Sequence, residues 1–249
     1  MARIFITGSA DGLGQLAAQS LVQQSHQVVL HARNEQRAQD ALKKVPGSET
    51  VLTGDLSNIG ETKMLAEKAN AWGKFGAIIH NAGVYDVSGN NESGIPALFA
   101  VNCLAPYILT CLIEKPRRLI YLSSDMHLQG DPYNLPAGNP KPISYSDTKL
   151  QDLILSIAVA RKCPGVYVNA IHPGWVPTKM GGKSAPDDLE KGFETQVWLA
   201  VSDDAEATVS GNYFHHKKQA YYLPVANDMN VQDTLLEFCE HISGVPFNF

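Results

Sequence analysis

A chain of 249 residues, 44% hydrophobic and 18% charged, can bury one sizeable core and falls within the range of a single α/β domain. The formal net charge is −5, and basic pairs such as Lys43-Lys44, Arg117-Arg118 and Lys217-Lys218 are short and scattered. That leaves no positive surface to track a phosphate backbone, so nucleic acid is not an expected partner.

Cys103, Cys111, Cys163 and Cys239 form no C-x-x-C pair, which argues against a zinc site or a disulfide framework. Met1-Ala2-Arg3 runs straight into a strand, unlike a secretory signal. The longest apolar run, 97–113, is broken by Asn102 and Pro106 and is short for a bilayer. A cytoplasmic protein with no transmembrane segment is the expectation.

Short apolar runs alternate with segments of helical period. In chain order they predict a strand at 3–7, a helix at 14–24, a strand at 27–31, a helix at 35–44, a strand at 49–53 and a helix at 59–72. There follow a strand at 77–80, a helix at 95–113, a strand at 118–123, a helix at 145–162, a strand at 166–171, a helix at 187–202, a seventh strand at 220–223 and a helix at 231–243. This alternation predicts a single-domain, doubly wound α/β fold of the Rossmann type over 1–249, with about seven parallel strands and helices on both faces. No repeat or low-complexity linker marks a second domain. Residues 125–142 and 178–186 read as irregular, and ligands of such sheets bind in loops beyond the strand carboxyl ends. The segment 175–215 is expected to cover the substrate, and Trp175, Met180, Phe193 and Trp198 are candidates to line its pocket or to pack a core.

Thr7-Gly8-Ser9-Ala10-Asp11-Gly12-Leu13-Gly14 joins the first strand to the first helix. A glycine-rich turn there lets the backbone approach a pyrophosphate, whose charge the free N–H groups at the helix start favour. The spacing is G-x-x-x-G-x-G, and a purely steric reading stays open for the turn alone. At the end of the second strand, where such folds meet the adenosine ribose, Arg33 and Arg37 offer cations to a 2′-phosphate. They favour NADP(H) over NAD(H). Glu35 lies about 20 residues beyond the turn, where an acid can read a free 2′-hydroxyl. With Asn34 as N-cap it reads instead as a first-turn acid.

Tyr145 and Lys149 stand four residues apart on one helix face. Reducing a carbonyl requires a proton donor at the nascent alkoxide, and a fixed cation beside a phenol favours its ionised form. Asn102 and Ser124 also read as local backbone hydrogen-bonders. His172 reads as structural, and His215-His216 lack a third ligand at familiar spacing.

Taken with Asn81-Ala82-Gly83, Asn102, Ser123-Ser124 and Pro173-Gly174, these motifs occur in an order that resembles the compact, single-domain short-chain dehydrogenase/reductase family, from about residue 3 to about residue 214. The 124–145 loop and Ser210-Gly211-Asn212-Tyr213-Phe214 are similar to the retinol-dehydrogenase-like and carbonyl-reductase-like branches, which implies a hydrophobic carbonyl or alcohol substrate. The resemblance implies that Tyr145 exchanges the proton, that Lys149 activates it and holds the nicotinamide ribose, that Ser124 orients the carbonyl and that Asn102 binds a relay water. It implies a cofactor site built from Gly8, Ser9, Asp11, Gly12, Leu13 and Gly14, with Arg33, Asn34 and Arg37 at the ribose. Asp55, Leu56, Asn81, Ala82 and Gly83 would meet the adenosine side, while Pro173, Gly174, Val176 and Thr178 shape the nicotinamide face. A homo-oligomer is expected, from the family and from the apolar helices 95–113 and 145–162. The alternative function is a non-catalytic NADP(H)-sensing regulator of the same fold.

Overall fold

The computed structural model describes residues 1–136 and 142–248. Residues 137–141 of the irregular stretch before Tyr145, and Phe249, lie outside the described residues. The strands are β1 (Arg3–Ile6), β2 (Gln27–Ala32), β3 (Thr50–Thr53), β4 (Ala77–His80), β5 (Arg118–Leu122), β6 (Tyr167–Ile171), β7 (Asn212–His215) and β8 (Lys218–Gln219). They form one sheet in the order β3-β2-β1-β4-β5-β6-β7-β8. All neighbours are parallel except β7 and β8. The strand order reverses between β1 and β4, and a crevice opens there at the carboxyl ends.

Successive strand residues face opposite sides, so each strand feeds two cores. Phe5, Val29, Ile78, Tyr121 and Tyr213 enter one core, with α3 (Ile59–Ala71), α5 (Ala105–Leu112), α6 (Tyr145–Lys162) and α8 (Met229–Ser243) over them. Ile4, Ile6, Leu30, Ile120 and Phe214 enter the other, covered by α1 (Gly12–Gln23), α2 (Glu35–Lys44) and α7 (Leu189–Val201).

Two elements depart from the sequence reading. The strand expected at 220–223 lies earlier, at β7, and a two-residue turn at His216-Lys217 folds β8 back on it. Both turn residues have positive φ, 47° and 63°, the conformation for which Asn-Gly is the usual sequence signal. His-Lys carries no such signal, so the hairpin was not visible. The helix expected at 95–113 is broken into α4 (Ala97–Phe99), a π turn (Ala100–Leu104) and α5. Asn102 sits in that turn and exchanges two hydrogen bonds with the Val84 backbone, at 2.8 and 2.9 Å; π turns of this kind often mark functional sites. Phe193 and Trp198 pack against the second core, Trp198 edge-on to Phe214, so they do not line the cleft described below.

The helices from which self-association was expected are covered by the chain itself. Fourteen of the eighteen α6 residues are buried, α8 supplies Leu235, Leu236 and Cys239 to the same core, and Tyr107 of α5 donates to the Val245 carbonyl at 2.9 Å. Leu235 is 2% exposed, and Leu235→Ala is expected to cost about 2–5 kcal/mol through lost burial and a residual cavity. Denaturant unfolding measures this; a loss below about 0.5 kcal/mol, ordinary for a surface substitution, would mean that α8 is not part of the core.

Candidate active site

The turn after β1 is held from both sides. Thr7 Oγ1 accepts the Ala82 N–H at 3.0 Å, and the Asn81 amide donates to the carbonyls of Thr7 (2.9 Å) and Gly8 (3.2 Å). A Cβ on Gly14 would strike that amide and lie 2.7 Å from the Gly8 oxygen, so the position must stay bare. The Gly8 N–H donates to His31 Nδ1 (2.9 Å), and His31 Nε2 donates to the Gly54 carbonyl (2.9 Å). Ser9 is wholly buried, donating to Ile6 and accepting from the His31 N–H; it braces the turn from behind.

Gly12 differs from these. Its φ of +57° suits glycine, and a Cβ there would meet nothing within 4 Å. It faces a cleft of about 460 Å³ bounded also by Gly8, Asp11 and Leu13, a volume ordinary for small-molecule sites. No side chain caps the first turn of α1. Asp11, its N-cap residue, pairs instead with Arg37 (2.6 Å) and Lys179 (3.2 Å). Burial alone would raise its carboxyl, but the two cations prevail and hold it below the usual range. Bare backbone beside uncapped N–H groups fits a pyrophosphate.

At one end of this cleft lie Arg33, Arg37, Asp55 and Leu56. Arg33 makes no hydrogen bond or ion pair among the described residues. Asn34 caps α2, accepting the Arg37 N–H at 3.1 Å, so it positions the arginine and does not itself line the cleft. Glu35 accepts from Thr53 Oγ1 at 2.8 Å, turned toward β3. Asp55 accepts from the N–H and hydroxyl of Ser57.

Tyr145 and Lys149 line the other end, with Asn81, Ala82, Gly83, Pro173 and Thr178. Tyr145 is the first residue of α6, where Ser144 and Asp147 form a capping box. Asp147 also accepts from the Asp131 N–H and the Asn134 amide, both at 2.8 Å, binding the preceding loop to the helix start. Lys149 is buried; its Nζ donates to the Leu122 carbonyl at 2.5 Å and lies 5.7 Å from the Tyr145 ring centre. Tyr85 meets Tyr145 edge-on, ring centres 4.8 Å apart.

Other expected residues flank or brace this surface. Asn102 donates to Thr148 of α6 at 3.0 Å. Ser124 donates to Asp125 and accepts the Met126 N–H, both at 3.2 Å, while its neighbour Ser123 borders the cleft and donates to the Lys149 carbonyl at 2.7 Å. Gly174 packs against the Asp187 carboxylate, and Val176 is buried against Gly192. Of the segment 175–215, residues 178–180 reach the cleft, whereas α7 packs on α1 and the sheet.

The model of the family described as short chain dehydrogenase matches residues 2–117. The uncharacterized oxidoreductase AN7799 of Emericella nidulans is 46% identical over 98% of both chains. The chain belongs to the short-chain dehydrogenase/reductase family. Short-chain dehydrogenase chyC of Penicillium rubens is 44% identical, again over 98% of both chains. Among solved structures, a blue fluorescent protein from a metagenomic library in complex with NADPH superimposes with a TM-score of 0.71 at 17% identity, over 86% of this chain and 95% of that one. This short-chain dehydrogenase/reductase is therefore an NAD(P)-dependent oxidoreductase.

Sequence reading passed over His31, Ser123, Tyr85 and Asp147 in this site. His31 carried one signal, an imidazole near the end of an otherwise apolar strand, and Asp147 another, the Ser144-x-x-Asp147 spacing of a capping box. His215 stacks between His172 and His216, ring centres 3.8 and 3.6 Å away, and no group of three or more His, Cys, Asp or Glu among the described residues is placed to hold a metal.

Burial brings His31 down to about 4 against an opposing bond to Gly54, and His80 down to about 3. Burial, then His215, brings His172 down to about 4. Imidazoles that stay neutral when folded stabilise fully above the unfolded value of about 6.5, and that contribution falls by about 1.4 kcal/mol per pH unit per group toward the folded value. The melting temperature should fall steadily between pH 6.5 and pH 4. A flat profile over that window would show that these rings take up protons without unfolding.

Proposed function

We propose that this enzyme is an NADP(H)-dependent reductase or dehydrogenase of a hydrophobic carbonyl or alcohol, with Tyr145 as its acid/base. The observation that carries the reading is one continuous cleft: the unpaired Arg33 beside the Asp11-bound Arg37 at one end, the bare Gly12 turn between, Tyr145 over the buried Lys149 at the other.

When bound, a nicotinamide dinucleotide supplies or takes the hydride. Gly12, Leu13 and the first turn of α1 hold its pyrophosphate. Arg33 and Arg37 bind the 2′-phosphate, and Glu35, occupied by Thr53, leaves them that task. Asp55 and Leu56 border the adenine; Asn81 and Ala82 support the turn. Lys149 holds the nicotinamide ribose, and Pro173 and Thr178 shape the nicotinamide face, with Gly174 and Val176 fixing their loop.

In reduction, Tyr145 Oη gives its proton to the oxygen that gains charge at the former carbonyl carbon; in oxidation it takes that proton back. The Lys149 ammonium favours the phenolate that this exchange creates. Ser124 orients the carbonyl once its hydroxyl leaves Asp125. Asn102, fixed by Val84 and Thr148, holds a water that links Lys149 to solvent. The half-exposed Tyr85, Val87 and Met180 supply an apolar rim, in keeping with a hydrophobic substrate. Four free thiols suit a reducing cytoplasm, and no described helix is long and apolar enough to cross a membrane.

A panel of alkyl and aryl ketones with NADPH, followed by loss of nicotinamide absorbance, tests the reading. Tyr145→Phe should bind NADPH nearly as tightly as the parent and lose about two to four orders of magnitude in turnover; full activity in that variant would remove the assignment. Charge-assisted bonds to the 2′-phosphate contribute on the order of 1.5–3 kcal/mol each. Arg33→Ala should therefore weaken NADPH by about tenfold or more and leave NADH unchanged. Equal losses for both cofactors would show that Arg33 does not read the phosphate.

A further inference from the structure

The helix that carries Tyr145 and Lys149 also carries a carboxylate that the chemistry above does not use. Asp152, one turn beyond Lys149, is 2% exposed, with Oδ2 3.7 Å from the lysine Nζ. Its Oδ1 is buried with no hydrogen-bond partner among the described residues. An acid in such a place is costly. Its neighbours Leu153, Ile154 and Leu155 fill the same interior as hydrocarbon, so packing does not call for a carboxylate.

Lys149 is held at the floor of the cleft. Its Nζ donates to Leu122 at the end of β5, and a Cβ on Gly83 would sit 3.5 Å from it. Tyr145 lies toward the cleft and Asp152 toward the interior. We propose that Asp152 is a positioning residue for the reaction, anchoring Lys149 from within and offsetting part of the ammonium's charge at Tyr145, so that the Asp152–Lys149 pair sets the pH window of turnover. The pH effect rests on the reading of Tyr145 as the acid/base.

The groups facing Asp152 are Lys149 on its own helix, Cys103 in the π turn, Tyr121 on β5 and Tyr213 on β7. Burial raises all three of those acids, and the Asp152 charge raises each further. None of them brings a positive charge, so Lys149 is the counter-ion among them. Burial lifts Asp152 to about 7 against the pull of Lys149, so its charge changes within the working range. When it is neutral, the full ammonium charge acts on Tyr145; when it is ionised, part of that charge is cancelled.

Asp152→Asn keeps the shape and removes the charge. In oxidation of 1-phenylethanol or cyclohexanol with NADP⁺, whichever is faster, the basic limb of the pH–rate profile should move down by about one unit, as expected for removing an anion near a phenol and its cation. NADPH binding, read by fluorescence, should change less than threefold. Superimposable limbs in a folded variant would overturn the proposal, and Tyr145→Phe, run alongside, shows whether the acid/base reading itself has failed. Infrared difference spectra of the parent protein between pH 5.5 and 9 need neither substrate nor a folded Asp152 variant. A buried carboxylic-acid band should titrate near neutrality and remain protonated throughout that range in Lys149→Met. Absence of a titrating band in the parent, or a band unmoved by Lys149→Met, would show that the pair is not coupled.

Discussion

The Asn81 amide nitrogen donates to the carbonyls of both Thr7 and Gly8, tying the end of β4 to the turn after β1 across the point where the strand order reverses. The crevice exists because the chain leaves these two neighbouring strands toward opposite faces of the sheet, and the amide ties the two departing segments together. Gly14 must be bare to let the amide approach, Thr7 must carry a hydroxyl to receive Ala82, and His31 must stay neutral to accept the Gly8 N–H. Each of these is a requirement on one residue type, imposed by the hydrogen bonds that hold the same turn.

A second constraint acts at the opposite end of the cleft. Lys149 is buried, yet its ammonium must reach the same surface as the glycine turn. The fold meets this by beginning α6 at Tyr145, fixing that start with the Ser144–Asp147 capping box, and ending β5 so that the Leu122 carbonyl faces the lysine. The loop before α6 is drawn in through Asp131 and Asn134 to the same Asp147. One aspartate thus sets both the helix origin and the loop beside it, and losing its hydrogen bonds would loosen both.

Much of this was legible because period and punctuation coincide. Strands β1 to β6 are apolar runs bounded by turn residues, and the glycine turn and the Tyr145–Lys149 pair stand at fixed places relative to them. What was illegible involves partners distant in sequence. That His31 would receive Gly8, or that the Ser123 hydroxyl would donate to the Lys149 carbonyl, depends on contacts no local pattern encodes. The β7–β8 hairpin lacked its usual turn chemistry, so the last strand was sought eight residues too late. The helices α5 and α6 are apolar enough to suggest a subunit interface. Sequence alone did not show that α8 and the residues after it cover them.

Arg33 and Tyr145 lie at opposite ends of one cleft, and the account requires a single dinucleotide to reach from one to the other. A crystal structure of the NADPH complex tests this most directly. The account predicts the 2′-phosphate on Arg33 and Arg37, the pyrophosphate over Gly12 and the nicotinamide ribose on Lys149, with the ring beside Tyr145. A nicotinamide directed away from Tyr145, or a 2′-phosphate in solvent beyond reach of Arg33, would contradict it.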